Sequence, residues 1–257
     1  MISLKDKTVF VTGASAGIGA SCAKIFAREG AKLLLCARRI DKLDALAASL
    51  RKDFRAEIFT FELDVRDHEQ VQAALENLPA EWKQIDILIN NAGLSRGLDK
   101  LHEGSLRDWE EMIDTNVKGL LYVSRAIVPT MVTRGSGHVI NIGSIAGHEV
   151  YPMGNIYCAT KHAVNAITKG MRMDLVDTPL RVTTIDPGLV ETEFSLVRFR
   201  GDAERAGKVY ETITALTPDD VAEAALFAAT RPAHVSINQI VLTATHQAST
   251  MVVHRRT

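Results

Sequence analysis

Tyr157 and Lys161 stand four residues apart in the run Tyr-Cys-Ala-Thr-Lys, and Ser144 lies thirteen residues upstream of the tyrosine. Together they could move a proton to or from an alcohol oxygen without a metal. A phenol titrates near pH 10, so drawing it down to about 7–8 requires roughly 3–4 kcal/mol of preferential stabilisation of the phenolate. An ammonium nearby could supply much of that. If residues 155–175 form a helix, positions 157 and 161 share one face. Ser144, at the end of a separate strand, could then donate to the substrate oxygen. Taken singly, a Tyr–Lys pair at this spacing or a serine after a strand is more often structural. The start of the chain supplies an independent signal.

Residues 7–11, Lys-Thr-Val-Phe-Val, form a short apolar run rich in β-branched residues and read as a buried strand. Gly13, Ser15, Ala16, Gly17, Ile18 and Gly19 follow, and residues 20–29 continue with helical character. Glycines in such a turn let the backbone approach a pyrophosphate, and the N–H groups opening the helix face the anion. The strand before and the helix after give the pattern its weight. A second strand, residues 31–36, ends in Ala37-Arg38-Arg39. A carboxylate at that strand end would favour NAD by accepting from the ribose 2′-hydroxyl, whereas arginine accommodates a 2′-phosphate. Arg38 and Arg39 therefore point to NADP, and Asp41 reads as the N-cap of a helix beginning near Lys42.

These groups need elements to carry them. Apolar runs at 57–63, 85–89, 138–142, 181–185 and 239–242 read as further strands, separated by helical stretches that include 67–75, 106–124 and 219–230. Thr217-Pro218-Asp219 opens the last of these, with proline in its first turn. Such alternation argues for an α/β fold with a parallel sheet covered on both faces. Ligands bind beyond the strand C-termini in sheets of this kind, so the glycine turn, Asn90, Ser144 and Pro187 could converge on one crevice. Residues 195–210 form the least regular and most charged interval, suited to a lid over the substrate. The apolar Met251-Val252-Val253 could dock on its own or a neighbouring subunit.

Of 257 residues, 46% are hydrophobic, enough for a large core. Thirty basic against 31 acidic residues, a net charge of −1, give no nucleic-acid footprint. No apolar run approaches the ~20 residues of a membrane span, and the N-terminus lacks the regions of a signal peptide. Cys22, Cys36 and Cys158 are odd in number and scattered, as in a reducing, cytoplasmic setting. The eight histidines form no zinc-binding pattern, so no metal is expected.

The glycine turn, Asn90-Asn91-Ala92-Gly93, Asn116, Ser144, Tyr157 with Lys161, and Pro187-Gly188 together resemble the short-chain dehydrogenase/reductase family. The resemblance implies a single Rossmann-type, doubly wound domain over residues 1–257 with a seven-stranded parallel sheet, and a homotetramer. It implies Tyr157 as general acid/base, Lys161 lowering its pKa and meeting the nicotinamide ribose, Ser144 donating to the substrate oxygen, and Asn116 holding a water that links Lys161 to solvent. It further implies Asn90, Asp64, Val65, Pro187, Gly188 and Thr192 as neighbours of the cofactor.

Within that family, residues 186–202 are similar to the substrate loop of NADP-dependent 3-hydroxy acid dehydrogenases, a group that includes serine 3-dehydrogenase and L-allo-threonine dehydrogenase. Residues 151–157 and 238–255 look alike too. The implied substrates are small 3-hydroxy acids: serine, L-allo-threonine, 3-hydroxyisobutyrate or 3-hydroxypropionate. Their carboxylate calls for a cation: Arg198 and Arg200, within a substrate loop spanning about 189–215, and Arg96 are candidates, with Tyr151, Met153 and Phe194 as apolar walls. Two other readings compete: a broad NADPH-dependent reductase of neutral ketones or diketones, and a non-catalytic NADP-sensing module.

Overall fold

Side chains alternate in direction along each strand, and this decides the layers. In the computed structural model, which describes residues 2–255, the strands are Thr8–Thr12 (β1), Lys32–Ala37 (β2), Ile58–Glu62 (β3), Ile87–Asn90 (β4), His138–Ile142 (β5), Arg181–Pro187 (β6) and Gln239–Leu242 (β7). They pair in parallel in the order β3-β2-β1-β4-β5-β6-β7. Val9, Val11, Leu33, Leu35, Ile87 and Ile89 join one buried cluster, while Phe10, Leu34, Cys36 and Leu88 join the other. Both faces are thus apolar, which is why these strands read as unbroken hydrophobic runs.

Helices Gly17–Arg28 (α1), Ile40–Phe54 (α2) and Pro218–Ala229 (α9) supply the first cluster, through residues such as Cys22, Phe26, Leu43, Leu50, Val221 and Ala225. His68–Glu76 (α3), Leu120–Arg134 (α5) and Asn155–Asp174 (α6) cover the second face, through Val71, Val123, Ile127, Met131 and Met171. Leu106–Ile113 (α4) leads into α5, and the short helices Phe194–Arg198 (α7) and Ala203–Lys208 (α8) lie between β6 and α9. The start of α9 follows the sequence reading: Thr217 and Asp220 cap each other reciprocally and Pro218 opens the first turn.

Two expectations change in detail, and a third is narrowed. Helix α2 opens at Ile40 with Arg39 in the capping position, so Asp41 lies within the first turn, where a carboxylate meets the positive helix end. The stretch 106–124 is not one α-helix: Asp114–Gly119 winds as a π-helix between α4 and α5. Such insertions leave no periodic signature in side-chain polarity and often mark functional positions. The tail after β7 folds on its own chain through Ala248 N–H to Val252 O and His254 N–H to His246 O, while Met251 and Val252 remain exposed.

One core contact has a pH consequence. His138, at the start of β5, is buried and shares a 2.8 Å hydrogen bond between Nε2 and Thr183 Oγ1. Burial, aided by Arg181, lowers its pKa from 6.5 to about 3. A depressed folded-state pKa gives stability that is present above pH 6.5 and lost as pH falls through 3. We expect His138 to contribute roughly 3–5 kcal/mol to the acid sensitivity of folding across that window. Urea unfolding at pH 7 and pH 4 should show His138→Gln losing less stability on acidification than the native chain; equal losses would remove His138 as the cause.

Candidate active site

Four loops leave the C-terminal ends of β1, β4, β5 and β6 and meet where the strand order reverses, between β1 and β4. The first two are tied together. Thr12 Oγ1 accepts from the N–H groups of Asn91 and Ala92, each at 3.0 Å, and Asn91 Nδ2 donates to Thr12 O at 2.8 Å. Gly13 has φ of +65°, and a side chain there would bring its Cβ to 2.9 Å from Ala92 Cα. Gly17 also has positive φ, +54°, and faces the Thr192 side chain. Positive φ favours glycine at both positions, and close approach adds to the requirement at Gly13.

The loops surround a cavity of about 420 Å³. Of the residues singled out in the sequence, Gly13, Ser15, Ala16, Gly17, Ile18, Arg38, Arg39, Asp64 and Val65 are in its lining, as are Arg96, Ser144, Tyr157, Lys161, Pro187, Gly188, Thr192 and Phe194. The glycine cradle, the opening of α1 and the arginines at the end of β2 fit a dinucleotide: the first two favour its pyrophosphate, the last an added phosphate.

Several predicted residues lie elsewhere. Gly19 stands behind the turn, where a Cβ would meet Asn91 Nδ2 and Gly13 O, so it permits close helix packing rather than lining the cavity. Asn90 turns its side chain into the sheet, donating to Ser124 Oγ at 3.0 Å and Asn141 Oδ1 at 2.9 Å; its successors Asn91, Ala92 and Gly93 face the cavity. A strand reverses side-chain direction at each residue, so a one-position displacement exchanges core for crevice. Asn116, in the π-helical turn, uses its side chain on Leu94 N–H and C=O, both at 2.8 Å, and on Thr160 Oγ1 at 3.0 Å. A water held by Asn116 would therefore need its main chain.

The catalytic candidates converge, with one reversal in electrostatics. Ser144 Oγ accepts from Ala146 N–H at 3.1 Å and donates to Pro187 O at 3.4 Å. Lys161 Nζ donates to Ile142 O at 2.9 Å and lies 6.0 Å from the centroid of the Tyr157 ring. Burial lowers the Lys161 pKa to about 8, opposed by Asp186. Burial and the Tyr151 phenol push Tyr157 up, against Arg198 and the Ser144 hydroxyl. The expected lowering of the phenol by Lys161 is thus absent in the protein alone, because desolvation outweighs the favourable charges.

The three candidate arginines part company. Arg96 binds Glu111 through Nε at 2.8 Å and Nη2 at 3.1 Å, and Arg200 pairs with Asp108. Arg198 instead donates to two neutral hydroxyls, Ser95 Oγ at 3.0 Å and Tyr151 Oη at 2.8 Å. Its guanidinium lies 5.3 Å from the Tyr157 ring centroid and 5.1 Å from that of Phe194. Tyr151 and Arg198 stand beside the cavity rather than in its lining, and Arg200 is turned to Asp108. The apolar wall over Tyr157 is Phe194, ring centroids 5.5 Å apart.

Sequence reasoning passed over two groups. Asp186 is fully buried behind Gly143, its Oδ2 accepting from Gln239 Nε2 at 2.6 Å and sharing a 2.9 Å bond with His148 Nε2. Glu193, in the cavity lining, binds Arg39 Nη1 at 2.8 Å and Lys42 Nζ at 2.9 Å. Neither pairing has a local signature, because the partners lie tens of residues away in sequence.

A parallel seven-stranded sheet with this crevice defines a Rossmann-type domain, and residues 7–201 match the family model for short chain dehydrogenases. The chain belongs to that family. Over 249 residues it is 49% identical to the NADP-dependent 3-hydroxy acid dehydrogenase YdfG of Salmonella typhi, an alignment covering 96% of this chain and 99% of that protein. It is 42% identical over 257 residues to the NADP-dependent 3-hydroxy acid dehydrogenase of Schizosaccharomyces pombe, covering 100% and 99% of the two chains. Among solved structures, the closed form of a serine dehydrogenase complexed with NADP⁺ superposes with a TM-score of 0.90 at 46% identity, covering 97% of this chain and 100% of that one. No helix of the described residues is long and apolar enough to cross a membrane.

Proposed function

We propose that this protein is an NADP-dependent dehydrogenase that interconverts small 3-hydroxy acids and their 3-oxo forms. The carrying observation is Arg198: of the three candidate arginines, it alone has no carboxylate partner among the described residues, and it stands over the Tyr157 ring. A guanidinium has five N–H donors, so the two bonds to Ser95 and Tyr151 leave three for a substrate carboxylate. The names and NADP-bound state of the relatives support the same reading.

In this reading a bound nicotinamide supplies the hydride acceptor or donor at C4. The chain does the rest. Ser144 fixes the substrate oxygen, Tyr157 takes or returns its proton, and Lys161 holds positive charge beside the phenol. Phe194 and the surrounding loop, residues 189–215, exclude water above the reacting carbon. One catalytic domain spans the chain. Three buried free cysteines support a cytoplasmic location, and the exposed apolar residues Val150, Met153 and Val252 support assembly, which the family resemblance makes a homotetramer.

Initial rates with NADP⁺ test the substrate class by comparing L-serine, L-allo-threonine, 3-hydroxyisobutyrate and 3-hydroxypropionate with neutral secondary alcohols. Activity confined to the neutral alcohols would favour the broad carbonyl reductase instead. Arg198→Ala should raise KM for the 3-hydroxy acids about tenfold or more, the worth of one charge-assisted hydrogen bond, with little change for neutral alcohols. Equal effects on both classes would remove its role at the carboxylate.

A further inference from the structure

We propose that Arg96 is a positioning residue for Arg198: it ties the end of α7 to α4 and so aims the Arg198 guanidinium at the substrate carboxylate. The inference rests on the reading of Arg198 given above. Arg96 lies in the loop after β4, with its side chain only 18% exposed. Its Nε and Nη2 donate to the two oxygens of Glu111, at 2.8 and 3.1 Å. Its Nη1 turns the other way and donates to Val197 O at 2.6 Å. Glu111 is on α4 and Val197 is on α7, so one planar guanidinium joins the two helices. Arg96 holds Glu111 below the usual carboxylate range, which keeps the pair charged.

The neighbouring bonds make this tie part of a frame around Arg198. Gly97 N–H donates to Arg198 O at 3.0 Å, so consecutive residues of the β4 loop hold the last two carbonyls of α7. The final carbonyls of a helix lack partners within it, and these take theirs from outside. Val197 O also accepts from Arg200 N–H, at a longer 3.3 Å. Arg198 Nε donates to Ser95 Oγ, on the residue before Arg96, at 3.0 Å. Arg200 pairs with Asp108, which lies three residues from Glu111 on the same side of α4. Asp108 and Glu111 thus engage the arginines on either side, and Arg198 between them keeps neutral partners. Loss of Arg96 would release the Val197 carbonyl and loosen the helix end that carries Arg198.

The test uses the full chain and saturating NADP⁺. It measures KM for L-serine, L-allo-threonine, 3-hydroxyisobutyrate and 3-hydroxypropionate in the native protein, Arg96→Leu, Arg198→Ala and the double variant. Arg96→Leu should raise KM about three- to tenfold, less than Arg198→Ala, because Ser95 and Gly97 still hold α7. In the Arg198→Ala background the same substitution should change KM by less than about twofold, because residues that act through one contact are not additive. A rise of equal size in both backgrounds would overturn the positioning role and place Arg96 at the substrate itself. An unchanged KM in Arg96→Leu would overturn it as well. Glu111→Gln keeps the shape of the partner and removes its charge. It should show a smaller rise with the same dependence on Arg198, and it carries the test if Arg96→Leu fails to fold. An Arg198→Ala protein with native KM, or a native protein that oxidises none of the four acids, would overturn the inference by a different route, through failure of the Arg198 reading itself.

Discussion

Tyr157→Phe is expected to lose about a thousandfold in kcat, the scale of a positioned general acid/base, while still binding NADPH with nearly native affinity. The substitution keeps the ring that packs against Phe194 and removes only the hydroxyl beside Ser144. Folding should therefore be preserved, and near-native thermal stability is the control. Burial pushes this phenol up, so it carries its proton at neutral pH in the protein alone. Delivery of that proton to a carbonyl oxygen needs no prior ionisation. Oxidation does, and depends on Lys161 remaining an ammonium, which holds below about pH 8. Single-turnover rates separate chemistry from product release; a normal rate in Tyr157→Phe would rule out the acid/base assignment.

The second large effect concerns the cofactor. Replacing Arg38 and Arg39 together by alanine should lower kcat/KM with NADP⁺ by about a hundredfold and change that with NAD⁺ much less, since each charge-assisted contact is worth roughly 1.5–3 kcal/mol. Both residues line the cavity at the end of β2. Arg38 lies 3.9 Å from Glu111, and Arg39 is held by Glu193. Parallel losses with both cofactors would mean that these arginines support the loop and do not read the phosphate.

What could be read in advance follows from the range of each interaction. Strands such as β1 and β5 were legible because burial on both faces demands apolar residues in sequence. The glycine turn was legible because positive φ at Gly13 and Gly17 restricts residue type. The pairing of Tyr157 with Lys161 needs only helical periodicity. The π-helix at Asp114–Gly119 was not legible, since it changes backbone winding without changing polarity. Nor were the partners of the arginines: Arg200 pairs with Asp108 and Arg198 meets Ser95, contacts across 92 and 103 residues of chain. Asn90 shows the smallest such gap, one strand position between a core amide and the crevice-lining Asn91.

In the proposed reaction, hydride passes between nicotinamide C4 and carbon 3 of a small acid inside this crevice. Its most direct measurement is the fate of deuterium when the protein reduces a 3-oxo acid with NADPH deuterated at both C4 positions. One deuterium bonded to carbon 3 of the resulting 3-hydroxy acid is the expected result. A product carrying only solvent-derived hydrogen at that carbon would contradict it.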